Sequence, residues 1–241
     1  MMNDDFSPPL ADRRALQPLR ESEPRRLGEL AADALRNAIL TREFPANTRL
    51  IEEEISRRLR VSRGPVRDAL RQLAEEGLVR IEGRGAFAVP PSLGDLDDLY
   101  SLRRALECLS VELAVQRFTD EDLRAAGERL EAMLWAAHAA PLETFVDADL
   151  AFHSFFYERV GHRRLLRSWQ SLQPTFRAVL NITNVHPGID EVLGMHERLL
   201  EAVAARDPDA AKQWVGAHLA IAAPILRAAF ARFEQRQQPV A

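Results

Sequence analysis

Apolar positions divide the chain into two stretches of different rhythm. Between Leu27 and Val89 they form short amphipathic runs. Leu30, Ala34, Ile39 and Leu40 mark a stretch over Leu27–Leu40; Leu50, Ile55 and Leu59 mark a short helix from Ile51 to Leu59; Val66, Leu70 and Leu73 line one side of a third helix after Ser62. Past Gly77, the runs Leu78–Ile81 and Ala86–Val89 flank Glu82-Gly83-Arg84-Gly85, which predicts a β-hairpin whose glycines supply positive φ. From Leu93 onward the spacing is helical throughout, over about 93–117, 119–139, 141–160, 163–183, 188–205 and 207–234. Thr119-Asp-Glu-Asp and Asp207-Pro208 are helix starts, and Pro141, Gly161 and Pro187-Gly188 are breaks. The expected fold is mainly α. Three helices and a hairpin (26–90) are joined by a linker (91–95) to an all-α antiparallel bundle of six to seven helices (96–236), after a flexible tail (1–25).

The decapeptide Val61-Ser-Arg-Gly-Pro-Val-Arg-Asp-Ala-Leu70 gives the first region its chemistry. Ser62 suits a helix N-cap whose hydroxyl accepts a backbone N–H, and Pro65 suits the first turn. Arg63, Arg67 and Arg71 recur at i, i+4 and i+8 and so share one face, opposite the apolar one. That face alone would also fit a solvated surface helix. Its surroundings decide otherwise: a short helix with Glu52, Glu53 and Glu54 at its positive end, the brief connection Arg60-Val61, and the hairpin behind. This is a winged helix-turn-helix, with Arg84 at the wing tip beside the phosphates or minor groove. Ser62, Arg63, Gly64, Arg67 and Arg71, with Arg58 and Arg84, are the candidate DNA contacts. Residues 57–71 hold six Arg against one acid, a local +5 in a chain of net charge −4. DNA affinity needs such a patch; a histone-like coat would need a basic chain.

Composition bounds the rest. The 241 residues leave about 150 beyond the winged domain, enough for a second core. With 46% hydrophobic and 28% charged residues the chain reads as an ordinary globular protein. No apolar run approaches a spanning length and no leader pattern opens the chain, so a cytoplasmic protein without membrane contact is expected. The single cysteine, Cys108, excludes an internal disulfide framework and is expected to be buried.

Three of the six histidines fall inside helices in apolar surroundings. Asp149 and His153 are spaced i, i+4; His196 and His218 lie in the next two helical segments but one. One carboxylate and three imidazoles from three helices can hold a first-row divalent metal with positions left open. Such a pair is also what a solvated or core-satisfied Asp–His pair looks like. His138, His162 and His186, near helix ends, are given no ligand role. Arg103, Arg104 and Arg177 could neutralise an anionic ligand, or could serve as solvated or ion-paired surface. Trp135, Trp169 and Trp214 are expected in the core or at a dimer contact, and Phe152, Phe155 and Phe156 as a dry wall near His153.

Residues 27–89 resemble the winged-helix domain of the GntR family of bacterial regulators, through Leu50-x-Glu52-x-x-Ile55-x-x-x-Leu59-x-Val61-Ser-Arg-Gly-Pro-Val-Arg-Asp-Ala-Leu70 and Leu73-x-x-x-Gly77-Leu-Val79. The resemblance implies base and phosphate contacts for Arg63 and Arg67. Two departures stand out. Ala46-Asn47 replaces a common loop glycine, with Asn47 able to turn left-handed, and Glu53 stands where fatty-acid-responsive relatives place a DNA-contacting arginine. Residues 95–234 resemble the FCD effector domain, through Leu102-Arg-Arg-x-Leu106-Glu107, Asp149-x-x-Phe152-His153, and His196 followed by Asp207-x-x-x-Ala211 and His218. That resemblance implies metal ligation by Asp149, His153, His196 and His218 beneath a pocket for a small carboxylate, with Arg103 first and Arg177 second as its anchors. Zinc, nickel and manganese all suit the donor set.

The expected protein is a ligand-responsive transcription regulator, a repressor, that binds an inverted-repeat operator as a homodimer and answers to a small organic acid held at the metal. One alternative is a regulator for which the ion itself is the signal. A remoter one is a metal-dependent hydrolase; against it, Glu197 next to His196 points about 100° away around the helix and no other general base is evident.

Overall fold

The computed structural model describes residues 24–83, 85–183 and 189–237. The tail to residue 23, the wing-tip Arg84, and His186 with Pro187-Gly188 lie outside them. The chain forms two compact units, one ending at Pro91 and the other beginning at Ser92.

In the first unit, α1 (Pro24–Leu40) packs on α3 (Arg63–Glu75), with α2 (Glu52–Leu59) against α3. Their apolar faces supply the core: Ala31, Leu35 and Ile39 of α1, Ile55 and Leu59 of α2, and Val66, Leu70 and Leu73 of α3 are buried. Arg36 lies inside this packing because its guanidinium grips both oxygens of the Glu76 carboxylate, at 2.7 and 2.6 Å, and also pairs with Asp33. Arg60 takes the left-handed conformation (φ 55°) that lets α2 turn into α3 within two residues. The expected cap fails in one respect. Ser62 occupies the N-cap position of α3, but its side chain makes no capping hydrogen bond.

The wing is β1 (Val79–Glu82) paired antiparallel with β2 (Gly85–Ala88), Val79 opposite Ala88 and Glu82 opposite Gly85. At Gly85 a Cβ would meet the Phe87 ring at 2.8 Å, so the close turn there requires glycine. The loop before α2 zips onto the wing, which the sequence did not suggest. Asn47 and Leu50 donate to the Ala88 and Ala86 carbonyls at 2.9 and 2.8 Å, and Asn47 is left-handed (φ 62°) as expected.

The second unit has six helices among the described residues: α4 (Leu93–Arg117), α5 (Asp120–Ala139), α6 (Leu142–Arg159), α7 (Arg163–Thr183), α8 (Ile189–Ala204) and α9 (Pro208–Gln237). Side chains fix their starts. Ser92 with Asp95, and Thr119 with Asp122, form reciprocal capping boxes, and Asp207 accepts from the N–H groups of Asp209 and Ala210. Arg206 (φ 59°) closes the turn before α9 and donates to the carbonyls of Val115 and Phe118. α9 packs on α4 and α8, and α6 on α5 and α7.

Three expectations change. Cys108 is only partly buried. Trp135 is 62% exposed, outside the core of this unit, whereas Trp169 is buried and stacks on Tyr157 at 4.6 Å. α9 does reach spanning composition, with mean hydropathy 1.4 and a third of that window buried, because its alanines raise hydropathy without forming one uninterrupted apolar run. Its His218 nevertheless sits in a buried polar cluster.

Candidate functional site

The second unit gathers its buried polar groups around one point. α6 supplies Asp149 and His153 one turn apart, α8 supplies His196, and α9 supplies His218; all four are buried, with ligand atoms within 4.8 Å of one another. Phe152 packs edge-on against both the His153 and His196 rings, at 5.7 and 5.2 Å, and keeps that side dry.

The hydrogen bonds around the cluster fix what it offers. His196 Nδ1 lies 2.7 Å from the Val192 carbonyl and can only donate to it, which leaves the lone pair on Nε2. His153 Nδ1 faces Glu107 Oε2 at 3.0 Å, off the line of a good hydrogen bond, and the carboxylate favours the proton on that nitrogen. The two Nε2 atoms are then 3.0 Å apart, and Asp149 Oδ1 is 3.2 Å from one and 3.8 Å from the other. Three lone-pair atoms at such distances repel unless a cation lies among them. His218 adds a ring stacked on His153 and a buried Nδ1 with no hydrogen-bond partner. Its pKa is held well below the usual value by burial, then by the neighbouring His196 and His153, so it stays a neutral donor. Burial alone would raise the Asp149 carboxyl; the hydrogen bond with His196 and the surrounding imidazoles outweigh it and hold the group far below the usual range. The donor set therefore fits a divalent transition metal.

Behind the cluster α4 carries a buried ion pair, Arg103 Nε donating to Glu107 Oε1 at 2.5 Å. Arg103 also lies over the Phe176 ring at 4.9 Å, yet its Nη2 is buried with no hydrogen-bond partner. Burial opposes the charge on Glu107, but Arg103 and His153 pull its pKa far down, so the carboxylate stays ionised. A cavity of about 40 Å³ is lined by Tyr100, Arg103, Asp149 and His218 at its polar side and by Phe145, Val192 and Leu226 among its apolar walls. Burial pushes the Tyr100 phenol up to about 12. Arg177 does not line this cavity; it pairs side-on with Asp147 at the surface, at 2.6 and 2.9 Å. His162 Nδ1 accepts from the N–H of Leu165 at the start of α7, and His138 lies exposed near Asp190.

Glu107 is the site residue that sequence reasoning left without a role. Its signal was present: Tyr100, Arg103, Glu107, Ser110 and Ala114 share one buried stripe, so an i, i+4 charged pair stands among core positions.

In the first unit the face of α3 is open. Ser62, Arg63, Gly64, Arg67 and Arg71 are exposed and Arg58 half-exposed. They border a groove of about 470 Å³ between α2, α3 and the wing. Each of the three face arginines meets an acid: Arg63 meets Glu53 at 2.8 Å, Arg67 meets Glu52 at two points, and Arg71 lies 3.8 Å from Asp68. The hydrogen bond from Arg67, against slight burial, keeps the Glu52 carboxyl below its usual pKa.

Comparison with known proteins agrees with both halves. Residues 27–89 match the bacterial regulatory proteins of the gntR family, and residues 98–221 match the FCD domain. The chain is 28% identical to the HTH-type transcriptional repressor RspR of Escherichia coli, over 77% of this chain and 82% of that protein. It is 24% identical to the gluconate operon transcriptional repressor of Bacillus licheniformis, over 76% and 77%. A crystal structure of a GntR transcriptional regulator from Rhodococcus sp. RHA1 superposes with TM-score 0.60 at 28% identity, covering 84% of this chain and 97% of that one.

Proposed function

Because the chain belongs to the GntR family of bacterial transcription regulators with an FCD domain, and so is a DNA-binding regulator rather than an enzyme, we infer that it is a cytoplasmic repressor that binds an inverted-repeat operator as a homodimer and is controlled by a small carboxylate at a metal site. Asp149, His153, His196 and His218 would hold the ion, which supplies a Lewis-acidic point for a carboxylate oxygen when bound. Glu107 orients His153, and Val192 orients His196. Arg103 would take the acid's second oxygen through the Nη2 that no protein group satisfies. That unpaired, buried donor beside the histidine cluster carries the reading: leaving it unmade costs about 1–3 kcal/mol, more for a charged group, unless a ligand completes it.

DNA would be read by Arg63 and Arg67 in the major groove, with Arg71, Arg58, Ser62, Gly64 and Arg84 on phosphates or the wing side. Two-fold symmetry doubles the half-site. Control requires only that the acid bind the DNA-competent and incompetent arrangements with different affinity.

The test is a thermal-shift screen of small carboxylates on zinc-, nickel- and manganese-loaded protein, with a chelator arm, followed by operator binding. A carboxylate that stabilises the loaded protein and alters operator affinity, with both effects abolished by chelator, is the expected result. An operator response to metal alone, with no carboxylate effect, would make the ion the signal.

A further inference from the structure

Resting on the DNA-binding reading above, the acids that face the recognition arginines divide into two kinds. Arg67 and Glu52 make a two-point contact, Nε to Oε1 at 3.1 Å and Nη2 to Oε2 at 2.9 Å. This side-on grip uses one edge of the guanidinium. It leaves Nη1 and the outer hydrogen of Nη2, the end-on pair that suits guanine O6 and N7. Glu52 stands in the first turn of α2, where the helix N-terminus favours its charge, and its side chain is 34% exposed. Arg63 and Glu53 meet at one point only, Nη2 to Oε2, and Glu53 is 75% exposed. A planar two-point grip fixes an arginine rotamer; a one-point surface contact exchanges freely and contributes little.

We propose that Glu52 is a positioning residue that holds Arg67 in the orientation reading a base pair, whereas Glu53 competes with DNA for Arg63 and lowers affinity for every sequence alike. Specificity and affinity are thus set by neighbouring acids of the same helical turn. The carboxylate of Glu53 adds repulsion toward phosphate, which Arg63 must overcome when it changes partner.

The experiment uses the full chain with Glu52→Gln, Glu52→Asp and Glu53→Gln. Fluorescence anisotropy is read against a duplex that the wild type selects from a random library and against a scrambled duplex, over a salt series, with circular dichroism to verify folding. Glu53→Gln raises affinity for both duplexes by about three- to tenfold, leaves their ratio unchanged and steepens the salt slope by up to about one. Glu52→Gln and Glu52→Asp both lower the ratio by about tenfold, the discrimination of one good base contact. Glu52→Asp keeps the charge and so leaves scrambled-duplex affinity at the wild-type value, because only the reach of the grip is lost. The proposal is overturned if Glu52→Asp retains the wild-type ratio, or if all three variants shift both duplexes by one common factor. A folded wild type that enriches no sequence would instead remove the DNA-binding reading itself.

Discussion

Arg67–Glu52 on the groove face and Arg103–Glu107 inside the helical unit are built from the same two residue types at hydrogen-bond distance, yet their surroundings make them opposites. The first pair is 53% and 34% exposed, the second 2% and 2%. In water the pair stabilises little, and exchanging the acid for another anion costs little. That is what a DNA-reading arginine needs. In the interior, neither charge can be removed alone, and the Arg103 donor left unpaired stays available to a ligand alone. Depth, more than chemistry, separates the output arginine from the input arginine.

Glu107→Ala strains that contrast most. It strands Arg103 in the core and frees His153 Nδ1, so the fold should lose about 3–5 kcal/mol and metal affinity should fall about 10–100-fold; thermal melts and metal analysis measure both, and a variant as stable as wild type would erase the difference in depth. Salt acts on the other pair. With three face arginines per protomer in a dimer, going from 50 to 200 mM salt should weaken operator binding by about a thousandfold, while metal content, held in a buried site, stays constant. Arg67→Ala should cut operator affinity by about 10–100-fold, the share of one bidentate base contact, with an unchanged melting temperature. The smallest effect is acid-dependent. Since Glu52 has its folded pKa lowered chiefly by the Arg67 hydrogen bond, its contribution to stability is present above the unfolded value of about 4.3 and fades as pH falls through the lower folded value. Glu52→Gln should remove that fraction of the acid dependence and nothing at neutral pH, as melts between pH 3 and 7 would record.

Much of this was legible in the chain because the signals were local. Thr119 with Asp122, and Asp207 before Pro208, cap their helices as the spacing suggests, and Asn47 adopts the left-handed turn its side chain permits. The i, i+4 spacing placed Asp149 and His153 on one face, while convergence of His196 and His218 on them needed the bundle. Where local signals misled, tertiary contacts had intervened. Ser62 holds the cap position without its hydrogen bond. Arg60, without glycine, turns left-handed between α2 and α3. The loop before α2 pairs with the wing, a long-range ladder that no short-range pattern encodes. Glu52 and Glu53 looked like helix-dipole partners, and their grip on the arginines appears only once α2 and α3 are packed. Glu107 was hidden for the opposite reason: an i, i+4 pair with Arg103 reads as solvated surface until burial shows otherwise.

The central claim is that DNA reading and metal-centred sensing belong to separate residue sets, and a single side-by-side measurement addresses it: operator affinity and bound metal for Arg67→Ala and His196→Ala. Arg67→Ala should keep its metal and lose the operator, and His196→Ala should lose the metal and keep the operator. If either folded variant lost both properties, or if Arg67→Ala kept wild-type operator affinity, the division would be contradicted.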